Sequence, residues 1–157
     1  MHVTVRTAST VDATALAGLR VRARSESGAA RGSDPDGFVD ALSAWMSTHL
    51  STHRPFVAEV DGRIVGMAWL VVVERVPSPE RRRRRSGDVQ SVYVRPELRN
   101  RGVGAALLDA VLAEARSLGL EHVTVHSSEG AVSLYRRAGF EAAETWLGRT
   151  EDGASTG

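Results

Sequence analysis

Apolar and polar side chains alternate over Val3-Thr4-Val5-Arg6, the period-two pattern of a half-buried strand, and predict a first strand there. Ser9 or Thr10 then offers a helix N-cap, with Asp12 in the first turn, where the helix dipole favours a negative charge. Leu16, Leu19 and Val21 carry an imperfect helical stripe to about Arg24. Gly, Ser and Asp gather between Ser25 and Gly37 and predict a break whose turn is Asp34-Pro35-Asp36-Gly37. Phe38, Leu42, Trp45, Met46 and Leu50 return at helical spacing, which predicts a second helix ending near His49.

Phe56 to Val60 and Arg63 to Val73 are strand-like runs separated by Asp61-Gly62. Asp-Gly tolerates the two positive φ angles of a type I′ turn, so the pair predicts a hairpin. A further strand is expected from about Asp88 to Val94, and Glu74 to Gly87, with Pro77, Pro79 and five consecutive arginines, is expected to be a long loop. From Ala105 to Leu118 the residues Leu107, Leu108, Val111, Leu112, Ala115 and Leu118 make one apolar stripe, with Gly119 as a C-terminal stop. Glu121 to His126 predicts another strand, Ala131 to Ala138 a short helix, and Phe140 the start of a last strand. Residues 1–150 are expected to form one domain, followed by a polar tail, Glu151 to Gly157, expected to be disordered.

Composition narrows the chemistry. The chain has 157 residues and no cysteine, so cysteine nucleophiles and thiolate metal sites are excluded. Its five histidines show no HExxH spacing, and no metal is expected. The sequence holds no apolar run of membrane-spanning length and no signal-like N-terminus, so a cytoplasmic location without membrane contact is the expectation. The net charge is +1, but removing Arg81 to Arg85 leaves fifteen basic residues against nineteen acidic ones, a balance of −4. The basic character is therefore local, unlike the spread-out stripe of a nucleic-acid binder. The run itself is read as a solvated loop tip, with contacts to an acidic acceptor or to cofactor phosphates as the alternative.

A strand that runs through Arg99-Asn100-Arg101-Gly102-Val103-Gly104 directly into a helix aims several free backbone N–H groups at one point. Such a junction cradles a pyrophosphate, though the hexapeptide alone also fits an ordinary helix start with solvated arginines. Walker A is ruled out, because the chain contains no lysine. The dinucleotide fingerprint fails as well: Gly102-Val103-Gly104-Ala105-Ala106-Leu107 has leucine at the third glycine position.

Two motifs together make a more specific pattern. Arg99 to Gly104, preceded by Val92-Tyr93-Val94-Arg95-Pro96, resembles the [Q/R]xxGxG/A motif of the GNAT superfamily of N-acetyltransferases. Ala131-Val132-Ser133-Leu134-Tyr135-Arg136-Arg137-Ala138-Gly139-Phe140 resembles the AxxLYxxxGF helix of the same family. The resemblance covers nearly the whole chain and implies a three-layer α/β (α+β) fold: a mixed, mostly antiparallel sheet flanked by helices, with two adjacent parallel strands, Asp88 to Val94 and Glu121 to His126, splayed apart. It implies acetyl-CoA as co-substrate, held at Val92, Tyr93 and Val94, at Arg99, Asn100, Arg101, Gly102, Val103, Gly104 and Ala105, and near Ser128 and Tyr135. Val94 N–H would polarise the thioester carbonyl. Ser128 stands where the family often has asparagine, and the segment after Phe140 is short for the usual C-terminal strands, so part of the acceptor wall is open to contribution by a second subunit.

The implied reaction sets two proton problems. An alkylamine with a pKa near 10 is about 0.1% neutral at pH 7, a cost on the order of 4 kcal/mol before attack. The resemblance assigns the acid for the leaving thiolate to Tyr135. For the base, Asp88 is the available carboxylate on the strand before the glycine loop, with Gln90 on the same face to orient a water. The alternative is that Asp88 belongs to a turn after Ser86-Gly87. Glu26 is a weaker candidate. The expected activity is acetyl transfer to a primary amine of a small molecule or peptide, with homodimerisation as a family expectation. The competing readings are a CoA-binding module without turnover and a nucleic-acid binder working through Arg81 to Arg85.

Overall fold

The computed structural model describes residues 1–29 and 34–151. They form β1 (Val3–Thr7), α1 (Ala13–Glu26), α2 (Pro35–His49), β2 (His53–Val60), β3 (Arg63–Arg75), β4 (Arg84–Val94), α3 (Val103–Ser117), β5 (Val123–Val125) and α4 (Val132–Arg137), with short 3-10 turns before α1, α3 and α4. The five strands lie side by side in chain order, antiparallel from β1 to β4 and parallel between β4 and β5. This is the mixed, mostly antiparallel sheet that the sequence reading expects. Among the described residues no helix is long and apolar enough to cross a membrane.

Strand alternation sorts the side chains into two cores. Phe56, Ala68, Leu70 and Val89 face α3 and α4, where Leu107, Leu108, Val111 and Tyr135 complete one cluster. Val57, Met67, Trp69 and Tyr93 point the other way, onto Leu16, Leu19, Leu42 and Met46 of α1 and α2. Helix α3 lies so close to the sheet that a Cβ on Gly66 would sit 3.1 Å from the Tyr93 carbonyl oxygen and 3.2 Å from Leu107 Cδ1. The β2–β3 hairpin turns through Asp61 (φ 49°) and Gly62 (φ 74°), both positive as a type I′ turn requires.

Several boundaries differ from the sequence expectation, each for a local reason. Asp34 to Gly37 do not form a free turn: Asp34 accepts the Gly37 N–H (3.2 Å) as N-cap of α2, and Pro35 supplies a first helical residue whose missing N–H costs nothing there. Residues 30–33 of the expected break lie outside the described residues. The long loop shrinks to residues 76–83, because β3 runs on to Arg75 and β4 begins at Arg84.

The arginine run is accordingly split. Arg84 reaches Glu121 with two hydrogen bonds of 2.8 and 3.0 Å, Arg75 and Arg81 lie within ion-pair distance of the same carboxylate, and Arg85 donates to the Leu118 carbonyl (2.7 Å). Arg82 and Arg83 are exposed. Asp88 is consequently a mid-strand residue paired across the sheet with Val71 and Thr124, and the turn reading of it is overturned. No strand follows Phe140 among the described residues, and β5 is limited to three residues. The expected disordered tail lies, from residue 152 on, outside the described residues.

The entry to α1 rests on one buried carboxylate. Asp12 takes two hydrogen bonds from Arg6, each 2.9 Å, and one from the Ser9 N–H (3.0 Å). The Arg6 hydrogen bonds hold its pKa below the usual carboxylate value. A carboxyl depressed in the folded state adds stability above its unfolded pKa, about 3.9, and loses it as pH falls through the folded value. Asp12→Ala is expected to cost about 1–2 kcal/mol at pH 7, a Tm drop of about 3–6 °C. The deficit should shrink when melting is repeated below pH 4, and equal Tm values for the two proteins at pH 7 would refute the assignment.

Candidate functional site

The sheet opens at one place. β4 and β5 pair only over Gly87–Val89 and Val123–Val125, so the edge of β4 from Gln90 to Val94 has no strand beside it on that side among the described residues. Within this stretch Ser91 takes a positive φ of 54°, and the β3–β4 register slips between Met67 and Trp69, which inserts one extra residue into β4 as a bulge. Successive N–H groups of a strand point to opposite sides. Since Arg95 N–H bonds to the Val65 carbonyl on β3 (2.9 Å), Val94 N–H faces away from β3 and into the opening, as does Val92 N–H two residues earlier.

The chain leaves β4 through Pro96–Leu98, passes Asn100 (φ 58°) and Gly102 (φ 86°), and enters α3 at Val103. The first bond of the helix runs from Ala106 N–H to the Gly102 carbonyl, 3.0 Å, so the N–H groups of Val103, Gly104 and Ala105 precede it at the positive end of the helix. The two glycines serve different purposes. Gly102 supplies a left-handed backbone, whereas Gly104 makes room: a Cβ there would lie 3.2 Å from Leu134 Cδ2 of α4.

Arg99 is anchored by a bond to the Val94 carbonyl (2.9 Å) and another to Glu26 (2.7 Å), with its guanidinium 5.3 Å from the Tyr93 ring centre. Tyr93 also donates to Glu26 (2.5 Å). Glu26 thus ties the end of α1 to the glycine loop, and hydrogen bonds from Arg99 and then Tyr93 hold its carboxyl below the usual range. Arg99 and Tyr93 point their side chains at Glu26, while Asn100 and Arg101 are exposed.

The catalytic candidates from sequence are brought together. Gln90 donates to Asp88 (2.9 Å), and Thr124 Oγ1 donates to the other Asp88 oxygen (2.7 Å). Asp88 and Tyr135 line the same cavity of about 740 Å³, between β5 and the segment after α4. Tyr135 is 7% exposed, its ring packs edge-on against Phe140 at 5.6 Å, and burial pushes its phenol pKa up. Ser127 lines this cavity; the neighbouring Ser128 is exposed, and its carbonyl accepts the Ala131 N–H (3.1 Å) at the entry to α4.

A second cavity, about 440 Å³, was not visible in the sequence. It lies between the helices and the other face of the sheet, lined by Arg20 from α1, Phe38, Leu42 and Trp45 from α2, and His53, Trp69, Val71, Gln90 and Ser91 from the strands. Trp45 stacks on His49 at 4.4 Å and meets His53 edge-on at 4.9 Å. Burial, and then the neighbouring His49, lowers the His53 pKa, leaving its imidazole neutral near pH 7. Gln90 borders this cavity and donates a hydrogen bond to Asp88, which lines the other. Sequence spacing had marked Phe38, Leu42 and Trp45 as a helix stripe, but which of them lines a cavity depends on the strands across from them.

A mixed sheet that opens between two parallel strands, with a glycine-started helix beside the opening, defines the fold of GCN5-related acetyltransferases. An acetyltransferase from Clostridium acetobutylicum, a predicted one solved with acetyl-CoA, superposes with a TM-score of 0.78 over 95% of this chain and 96% of its own, at 20% identity, which speaks for the fold alone. Residues 21–140 match the acetyltransferase (GNAT) family model, and the chain belongs to that family.

Among its curated relatives are a mycothiol acetyltransferase of Propionibacterium freudenreichii, 34% identical over 90 residues, and a glucosamine 6-phosphate N-acetyltransferase of Trypanosoma brucei brucei, 35% identical over 101 residues. The matches cover 55% and 64% of this chain, and 27% and 63% of the relatives, less than two thirds of either.

Proposed function

We propose that the protein is an acetyl-CoA-dependent N-acetyltransferase that acts by direct attack of a primary amine, and the observation that carries this reading is the unpaired edge of β4 facing the opening beside the α3 N-terminus. The residues fit the co-substrate: the Val92 and Val94 N–H groups suit an amide-bearing arm, and the N–H groups from Arg101 to Ala105 suit a pyrophosphate. When bound, acetyl-CoA supplies the activated acetyl group and a thiol leaving group.

Val94 N–H donates to the carbonyl oxygen where negative charge develops. Asp88, held by Gln90 and Thr124, takes the ammonium proton directly or through a water placed by Gln90. As the amine nitrogen bonds to the acetyl carbon and the carbon–sulfur bond breaks, Tyr135 would give its proton to the departing sulfur and be reprotonated from solvent, while the second N–H proton of the new amide would leave to solvent. Glu26, already engaged by Arg99 and Tyr93, holds α1 against the glycine loop and is a positioning residue rather than a base. The two curated relatives act, by name, on different acceptors, so neither dictates the amine here.

A thermal-shift titration tests the reading. At acetyl-CoA one hundred times its Kd, binding to the folded state alone adds about 2.7 kcal/mol, a Tm rise of about 5–10 °C. Free CoA should act similarly and NAD should not. No response to either CoA species would end this proposal, and a CoA response with no thiol released from any amine would leave the module without turnover.

A further inference from the structure

Arg20 is half-buried in the wall of the 440 Å³ cavity and donates to Ser91 Oγ at the bulge of β4. A guanidinium carries five N–H donors, and buried cations are ordinarily matched by an anion. Among the described residues no carboxylate forms an ion pair with it; the charge that acts on it is that of Arg24, another cation. Burial first, then Arg24, lowers its pKa, the direction expected where a positive charge lacks compensation.

Trp69, 6% exposed, lies in the same wall. The rest of the lining is largely apolar and aromatic: Phe38, Leu42, Trp45 and Val71. Its volume is in the range that encloses a small molecule.

Position adds a constraint. Ser91 directly precedes the Val92–Val94 edge, so Arg20 stands beside the place where the proposed function puts the reacting amine. An acceptor anion paired with Arg20 must therefore be only a few bonds from that amine. A carboxylate on the adjacent carbon meets this requirement and matches the planar guanidinium fork. A sugar acceptor does not suit this wall, because its hydroxyls would face aromatic rings with few polar groups to receive them.

We propose that the acceptor is a small α-amino acid with an apolar or aromatic side chain, its carboxylate held by Arg20 beside Ser91 and its side chain lodged among Phe38, Trp45 and Trp69. This inference rests on the acetyltransferase reading and deepens it. His53, neutral near pH 7, adds no charge against the incoming ammonium.

The test pairs each amino acid with its decarboxylated amine in a thiol-release assay: L-phenylalanine with phenethylamine, L-leucine with isoamylamine, and glucosamine 6-phosphate as a phosphate-bearing arm. The carboxylated partner is expected to show at least about tenfold higher kcat/KM, through KM, and the ratio should fall toward one in Arg20→Gln and be partly kept in Arg20→Lys. A second readout needs no turnover: L-phenylalanine should quench the fluorescence of Trp45 and Trp69 in wild type, and this should weaken at least tenfold in Arg20→Gln.

Equal or better rates with the decarboxylated amines, activity with glucosamine 6-phosphate alone, or a ratio that survives Arg20→Gln would overturn the proposal while leaving acetyl transfer standing. Quenching without thiol release from any amine would support the carboxylate site and count against the catalytic reading instead. If Arg20→Gln fails to fold, the wild-type ratios decide.

Discussion

Replacing Tyr135 with phenylalanine is expected to lower kcat by about a hundredfold or more while acetyl-CoA affinity stays within about threefold. General acid catalysis contributes roughly 10²–10⁴ in rate, and a hundredfold loss corresponds to about 2.7 kcal/mol of transition-state stabilisation. The variant should fold normally, because the ring makes the packing contacts with Phe140 and the α3–α4 core. Burial raises the Tyr135 pKa above its ordinary value near 10. A donor with a raised pKa keeps its proton to higher pH, so any alkaline decline in wild-type kcat due to this group should fall above pH 10. Single-turnover acetyl transfer, together with a separate CoA titration, measures both quantities. Full activity in Tyr135→Phe would reduce this residue to a packing role.

Asp88→Asn carries the second large effect. The side chain keeps its size and one oxygen for the hydrogen bonds from Gln90 or Thr124, but it can no longer take a proton. At pH 7 kcat is expected to fall about a hundredfold. The loss should lessen as pH rises, since the neutral fraction of an alkylamine grows about tenfold per pH unit below its pKa and a neutral amine needs no base. That pH-dependent recovery separates a missing base from a damaged sheet, which would depress the rate at every pH. A variant with wild-type kcat at pH 7 would remove Asp88 from the mechanism; His53, the neutral imidazole bordering the acceptor cavity, would be next to test by His53→Gln.

Much of this site was legible in the linear chain, because its main elements are local. The strand, glycine loop and helix from Val92 to Ala105 are contiguous, and the unpaired N–H groups of a helix start follow from chain geometry alone. The AxxLYxxxGF stretch, Ala131 to Phe140, likewise forms a short helix around one buried tyrosine. Charge was read less well. Arg81 to Arg85 reads as one solvated run, yet Glu121, 37 residues after Arg84, draws Arg84 out of it, and pairing with β3 starts β4 four residues before its expected start at Asp88. Glu26, by sequence a weaker base candidate, is joined to Arg99 across 73 positions.

The sequence by itself determined the order of the elements as far as α4, the two apolar helix stripes, the hairpin at Asp61-Gly62 and the two family motifs, because each depends on neighbours within a few residues. Only the tertiary structure decided that β4 and β5 part company after Val89, that Asp88, Gln90 and Thr124 form one hydrogen-bonded group, and that Arg20 meets Ser91, 71 positions away, with no carboxylate ion-paired to it among the described residues. Strand register and helix docking are set by the summed packing of both cores, and no short stretch of chain contains that sum.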